Sequence, residues 1–112
     1  MKILHINTER TWRGGEQQTL YLLKGLRERQ IDSHLVCQPD SPMANRARQA
    51  DLNVFTVTMR GEIDPIASYQ LRRLIQKFKY DIIHSHTSHA HTLAFFASKG
   101  LPTKRLVTRR YG

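Results

Sequence analysis

Cysteine is nearly missing from this sequence: 112 residues contain one, Cys37. An intrachain disulfide is therefore excluded, which suits a reducing cytoplasm, and the position of Cys37 inside an apolar run reads as core rather than nucleophile. Long hydrophobic runs are missing too. No stretch approaches the roughly 18 uninterrupted apolar residues of a membrane-spanning helix. The opening Met1-Lys2-Ile3-Leu4-His5-Ile6-Asn7 is too short an apolar run for a signal peptide and has no small-residue cleavage site. The expectation is a cytoplasmic chain that begins directly with a strand. Acidic residues are scarce, nine against eighteen Lys and Arg, for a formal charge of +9. Such an excess points to a polyanionic neighbour (nucleic acid, a phospholipid surface or a phosphorylated glycan) or to basic helix faces turned to solvent. The cations are dispersed, at Arg46/Arg48, Arg72/Arg73/Lys77 and Lys104/Arg105/Arg109/Arg110. No arginine-rich tail, zinc-finger or RNA-binding signature accompanies them, so no specific nucleic-acid partner is expected.

Strand and helix patterns alternate from the first residue. Lys2–Asn7 is a short apolar strand. Residues from Gly15 to Arg29 have helical spacing, with Leu22, Leu23 and Leu26 on the apolar face. Ser33–Gln38 is a second strand, and Ser41-Pro42 is an N-cap and first helical position for a short helix carrying Met43, Ala44, Ala47 and Ala50. Val54–Thr58 is a third strand. Asp64-Pro65 starts another capped helix that runs to Lys79, with Ala67, Leu71, Leu74, Ile75 and Phe78 along one stripe. Asp81–His86, Ala90–Ser98 and Arg105–Thr108 complete the series as strand, helix and strand. Helical crossovers between every pair of strands force parallel pairing. The expected fold is a single α/β domain over 1–112, a Rossmann-like doubly wound parallel sheet of order 3-2-1-4-5. The pattern stops right after the fifth strand, where a doubly wound domain would continue. Gln30 and Asp51, just past the first two helices, stand where glycine would relieve a left-handed backbone.

Ligands of parallel sheets bind beyond the carboxyl ends of the strands, where strand order reverses. For this order that point lies between strands one and four, and the two most unusual loops follow those strands. After strand one comes Thr8-Glu9-Arg10-Thr11-Trp12-Arg13-Gly14-Gly15-Glu16. Adjacent glycines admit a ligand close to the backbone, and the helix amides behind them favour an anion such as a diphosphate. Neither the third glycine of the dinucleotide fingerprint nor a P-loop Lys-Ser/Thr is present, and an ordinary flexible turn is the plainer reading. Glu16 also reads as a first-turn acid facing the helix dipole. After strand four comes His84-Ser85-His86-Thr87-Ser88-His89-Ala90-His91. This spacing matches neither a helical i, i+4 pair nor a structural zinc set, and no acid or cysteine completes it, so no metal is expected. Hydroxyls and neutral imidazoles suit a sugar's hydroxyls better, and a helix N-terminus favours neutral histidine. His84 by itself reads equally well as a satisfied core residue. Arg109 and Arg110, after strand five, reach the same rim, either to anchor a phosphate or carboxylated sugar or as surface charge.

Lys2-Ile3-Leu4-His5-Ile6, Gly14-Gly15-Glu16 opening a leucine-rich helix, Asp81-Ile82-Ile83-His84-Ser85-His86 before a small-residue helix, and Leu106-Val107-Thr108-Arg109-Arg110 together resemble the retaining glycosyltransferases of family 4. The resemblance spans essentially all 112 residues. It implies the N-terminal, acceptor-side part of a GT-B fold, two Rossmann-like domains across a cleft. It also implies sugar transfer from a nucleotide-diphosphate sugar to a glycan, lipid or lipopolysaccharide acceptor, with no cofactor or essential metal. Gly14, Gly15 and Glu16 would lie at the donor diphosphate; His86, Thr87, Ser88, His89, Arg109 and Arg110 would face the acceptor side. Work at the inner membrane face, by peripheral contact with anionic lipid, would suit the charge. Arg110 stands where many members carry a histidine, and the second domain, with its basic pair and paired acids, lies outside these residues. The resemblance assigns no catalytic residue, and the chain alone is expected to be inactive. Two other classes remain: a standalone nucleotide or phosphosugar binding module, and a basic membrane or nucleic-acid adaptor.

Overall fold

A computed structural model of the chain describes residues 1–12, 14–60 and 64–107. Strand β1 (Lys2–Ile6) occupies the middle of a five-stranded sheet. Helix α1 (Gly14–Glu28) leads to β2 (Asp32–Cys37), α2 (Pro42–Gln49) to β3 (Asn53–Thr56), α3 (Pro65–Phe78) to β4 (Ile82–Ser85), and α4 (Ser88–Ser98) to β5 (Lys104–Val107). All four pairings are parallel, as the alternating pattern requires, and the order is the expected 3-2-1-4-5. Thr108, Arg109 and Arg110 lie outside the described residues.

The period of two in each strand divides the core into two layers. Leu4, Ile6, Val36 and Ile83 point to one face, where Ala67, Leu71 and Ile75 of α3 and Ala90, Leu93, Ala94 and Ala97 of α4 cover them. Leu35 and Cys37 point to the other, under Leu20 and Leu23 of α1 and Met43, Ala44 and Ala47 of α2. Cys37 is fully buried, and desolvation pushes its thiol up to about 11, so it is core and not a nucleophile. In α1 the face turned to the sheet is Glu16, Thr19, Leu20 and Leu23, while Leu22 is exposed. Thr19 among the inward positions shifts the apolar stripe by one residue from the sequence-based expectation.

Both proline-started helices are capped as their sequences demand. Ser41 Oγ accepts from the Ala44 amide at 3.2 Å, and Asp64 Oδ1 from the Ala67 amide at 3.0 Å. Asp64 Oδ2 also accepts from the Arg60 amide at 3.0 Å, and these bonds hold its carboxyl below the usual range. Several cations are engaged internally. The Arg46 guanidinium lies 4.2 Å from the Trp12 ring centre, Arg105 lies 4.9 Å from that of Phe95, and Arg72 donates to the Lys99 carbonyl at 2.7 Å behind α4.

Gln30 and Asp51 both take the left-handed backbone, with φ of 62° and 58°, and Asp40 (58°) and Lys79 (54°) join them. A side chain in this region costs about 1 kcal/mol that glycine avoids. Gln30→Gly and Lys79→Gly are each expected to raise unfolding stability by up to about 1 kcal/mol, read as an increased urea midpoint; a lowered midpoint for both would refute the strain.

Candidate functional site

The chain leaves β1 outward to β2 and β3, then returns to the opposite side of β1 as β4. The carboxyl ends of β1 and β4 therefore lie side by side where the winding reverses, the place where parallel sheets form their ligand crevices. Two contacts tie these loops together. Thr8 Oγ1 and Thr87 Oγ1 are 2.7 Å apart, and the His86 amide donates to the Ile6 carbonyl at 3.1 Å. Thr87 is the N-cap of α4, its hydroxyl accepting from the Ala90 amide at 3.2 Å. A hydroxyl that caps a helix and meets a second hydroxyl is fixed in direction, so the mouth of the crevice is rigid there.

Gln38, just past β2, organises the neighbouring wall. Its Nε2 donates to the Thr8 carbonyl at 3.0 Å and the Met59 carbonyl at 2.6 Å, and its Oε1 accepts from the Met59 amide at 2.9 Å. Sequence reasoning passed over this residue. A buried primary amide among turn residues is its only local signal, because its partners lie 21 and 30 positions away. Together with Thr8, Glu9, Arg10, Thr11, Met59, Arg60 and His89 it lines a cleft of about 310 Å³. A larger apolar hollow of about 990 Å³, between Met1, Ile75, Tyr80, Leu101 and Pro102, lies at the amino ends of the strands, away from the crevice. Parallel sheets do not build their ligand sites there.

The residues singled out from the sequence divide as follows. Gly14 and Gly15 are the first two residues of α1, and Glu16 in its first turn is buried. A methyl group built on Gly14 would meet nothing within 4 Å, so internal packing does not demand glycine there. His86 is buried at 6% exposure while His89 is exposed at the cleft, and Ser88 is the first residue of α4. Arg109 and Arg110 lie outside the described residues.

The structure adds a histidine that the spacing argument left out. In the parallel register His5 is the partner of His84, on the α1 side of the sheet. His86, two residues on, shares that side. His5 Nδ1 and His86 Nε2 are 3.0 Å apart, and the ring centres of His84 and His86 are 4.0 Å apart. Burial and the neighbouring His84 charge push the His5 imidazole down to about 3. The signal was present in the sequence, because order 3-2-1-4-5 makes β1 and β4 neighbours and the period of two aligns their histidines.

A family model described as Glycosyltransferase Family 4 matches residues 12–109. The chain belongs to that family. Solved structures agree on the fold of this family-4 chain, which is that of the N-terminal Rossmann-like half of GT-B glycosyltransferases. A glycosyltransferase from Rickettsia africae ESF-5 matches with a TM-score of 0.79 at 19% identity, over 99% of this chain and 30% of that one. Anabaena Alr3699/HepE in complex with UDP-glucose gives 0.77 at 19%, over 96% and 28%. Acinetobacter baumannii MurG gives 0.75 at 12%, over 96% and 34%. The chain thus spans only about a third of the length of each. No curated protein matches it in sequence. No described helix is long and apolar enough to cross a membrane.

The neutral His5 sets a pH dependence whose sign is fixed. Its folded value lies below the 6.5 of the unfolded chain, so its contribution is complete above about pH 6.5 and is lost as the pH falls from there toward 3. The lost stability is at most about 1.4 kcal/mol per pH unit for one such group. His34, held below its ordinary value chiefly by burial, adds in the same direction. Urea midpoints at pH 7.5 and 5 should differ, and His5→Gln should shrink the difference; equal slopes for both chains would contradict a buried neutral His5.

Proposed function

We propose that this chain forms the acceptor-side domain of a glycosyltransferase that moves a sugar from a nucleotide-diphosphate sugar to a glycan or lipid-linked acceptor. The observation that carries the reading is the crevice at the β1/β4 reversal, with Gly14 opening α1 at the same end of the sheet and nothing among the described residues requiring its lack of a side chain. A ligand passing over the first turn of α1 supplies that requirement, and the positive end of the helix dipole suits a diphosphate. HepE, whose structure holds UDP-glucose, has the same fold at this end. Gly15 serves the same approach. Glu16, buried in the first turn, faces the helix dipole and positions the turn.

On the opposite wall His86, Thr87, Ser88 and His89 face the acceptor. Hydroxyl and imidazole groups offer both donors and acceptors, which fits sugar hydroxyls. Arg109 and Arg110, outside the described residues, are assigned in this reading to an anionic group of the acceptor. Exposed cations, Arg48, Arg73 and Lys77 among them, support peripheral contact with an anionic membrane surface from the cytoplasmic side. Transfer needs a second domain to close over the donor, so the 112 residues by themselves bind UDP-sugar weakly and turn over none.

Mass spectrometry of the natural polypeptide should find a mass well above 13.1 kDa, and that longer protein should transfer sugar. In it Gly14→Ala should lower kcat/KM for the donor by at least about tenfold, or 1.4 kcal/mol, without lowering the thermal midpoint, since the added methyl meets only open space. Unchanged kcat/KM in a folded Gly14→Ala enzyme would remove the donor assignment; steady turnover by the purified 112-residue chain would remove the need for a second domain.

A further inference from the structure

We propose that His5, His84 and His86 form a binding site for one divalent first-row transition ion, of the Zn²⁺ class, on the floor of the crevice. One nitrogen from each ring can be chosen so that all three lie within 4.8 Å of one another. Ligands about 2.0–2.1 Å from a tetrahedral zinc are separated by roughly 3.4 Å. The His5 Nδ1 to His86 Nε2 separation of 3.0 Å is already close to that value. Closing the widest pair needs a movement of under about 1.5 Å, within reach of ring rotation on fixed strands.

The backbone makes this convergence a built feature. His5 and His84 are register partners on adjacent strands, and the His86 amide is bonded to Ile6. All three Cα positions are therefore set by the sheet. His5 is 1% exposed, and its Nε2 has no hydrogen-bond partner among the described residues. A neutral imidazole meeting a single partner leaves one of its two nitrogens unsatisfied in a dry layer, a cost of about 1–3 kcal/mol. His84, the most accessible of the three at 9%, marks the open side, where water takes the fourth position.

The donor set selects the ion. Three imidazoles with no carboxylate or carbonyl in the set suit Zn²⁺, Cu²⁺, Ni²⁺ or Co²⁺, and offer nothing to Mg²⁺ or Ca²⁺, which need oxygen. The ion takes no part in sugar transfer. It fixes His86 to the sheet, and through the adjoining Thr87 it stiffens the start of α4. Occupancy withdraws the ligating nitrogen of His86 from any molecule in the crevice, so the metal and a ligand of His86 compete.

The test is titration of the 112-residue chain with Co²⁺ and Zn²⁺ alone. One ion per chain should bind, with the intense visible absorption of four-coordinate Co²⁺, displaced by Zn²⁺ and untouched by excess Mg²⁺. His84→Gln should weaken binding by at least about tenfold with an unchanged far-ultraviolet circular dichroism spectrum. The paired surface change His89→Ala/His91→Ala should leave the absorption and affinity intact. Long-range ¹H–¹⁵N spectra of the unaltered chain should show one nitrogen each of His5, His84 and His86 shifting on Zn²⁺ addition, which keeps the test independent of whether a variant folds. Octahedral Co²⁺ absorption, loss of binding in the surface variant, or unshifted resonances from these three rings would each overturn the site.

Discussion

Strand β1 is hydrogen-bonded on both sides, to β2 along Lys2–Ile6 and to β4 along Ile3–Ile6. Among the described residues, this strand is the one that pairs with both halves of the winding. This double pairing fixes which loops become neighbours, which histidines face one another, and which face each helix must cover. Remove it and the crevice loses its walls, because the Thr8–Thr87 and His86–Ile6 contacts between the loops after β1 and β4 presuppose the register. The Thr8–Thr87 hydroxyl pair and the His86–Ile6 bond join residues about 80 positions apart in sequence. Neither can form before the strands are side by side.

The centre of the sheet tolerates polar side chains only on terms set by their partners. His34 and Tyr80 satisfy each other through a bond of 2.6 Å, with Asp32 on the far side of the imidazole at 3.1 Å. They are packed within an aromatic group of Phe55 and Phe78. That arrangement closes on itself and reads as structure. His5 differs, since its outer nitrogen is buried without a partner among the described residues. The contrast between two buried histidines on neighbouring strands separates a histidine used for packing from one whose position is explained by something beyond packing.

What could be read from the sequence was what is local. Ser41-Pro42 and Asp64-Pro65 announce their helices because cap and first turn lie within four residues, and both caps form. Parallel order follows from alternation alone. The left-handed positions at Gln30 and Asp51 were legible from the helix ends, whereas Lys79 was hidden because its helix was read as running through it. The phase of α1 went astray at Leu22, since a threonine on the inner face breaks the apolar stripe. In the crevice, Thr87 and His89 were visible as polar residues after a strand. Gln38 was not, because its partners lie in other loops and no window of sequence contains both, and His5 becomes legible only when the strand order is applied to the period of two.

Gln38 has a thermodynamic consequence for whatever enters the cleft beside it. One amide spends both donor and acceptor on the loops after β1 and β3, so the wall is ordered before a ligand arrives. Association then forfeits little backbone entropy, and more of each contact formed appears as affinity. The same bonds oppose any loop movement that would break them, so a molecule of the wrong outline meets an energetic cost in fitting.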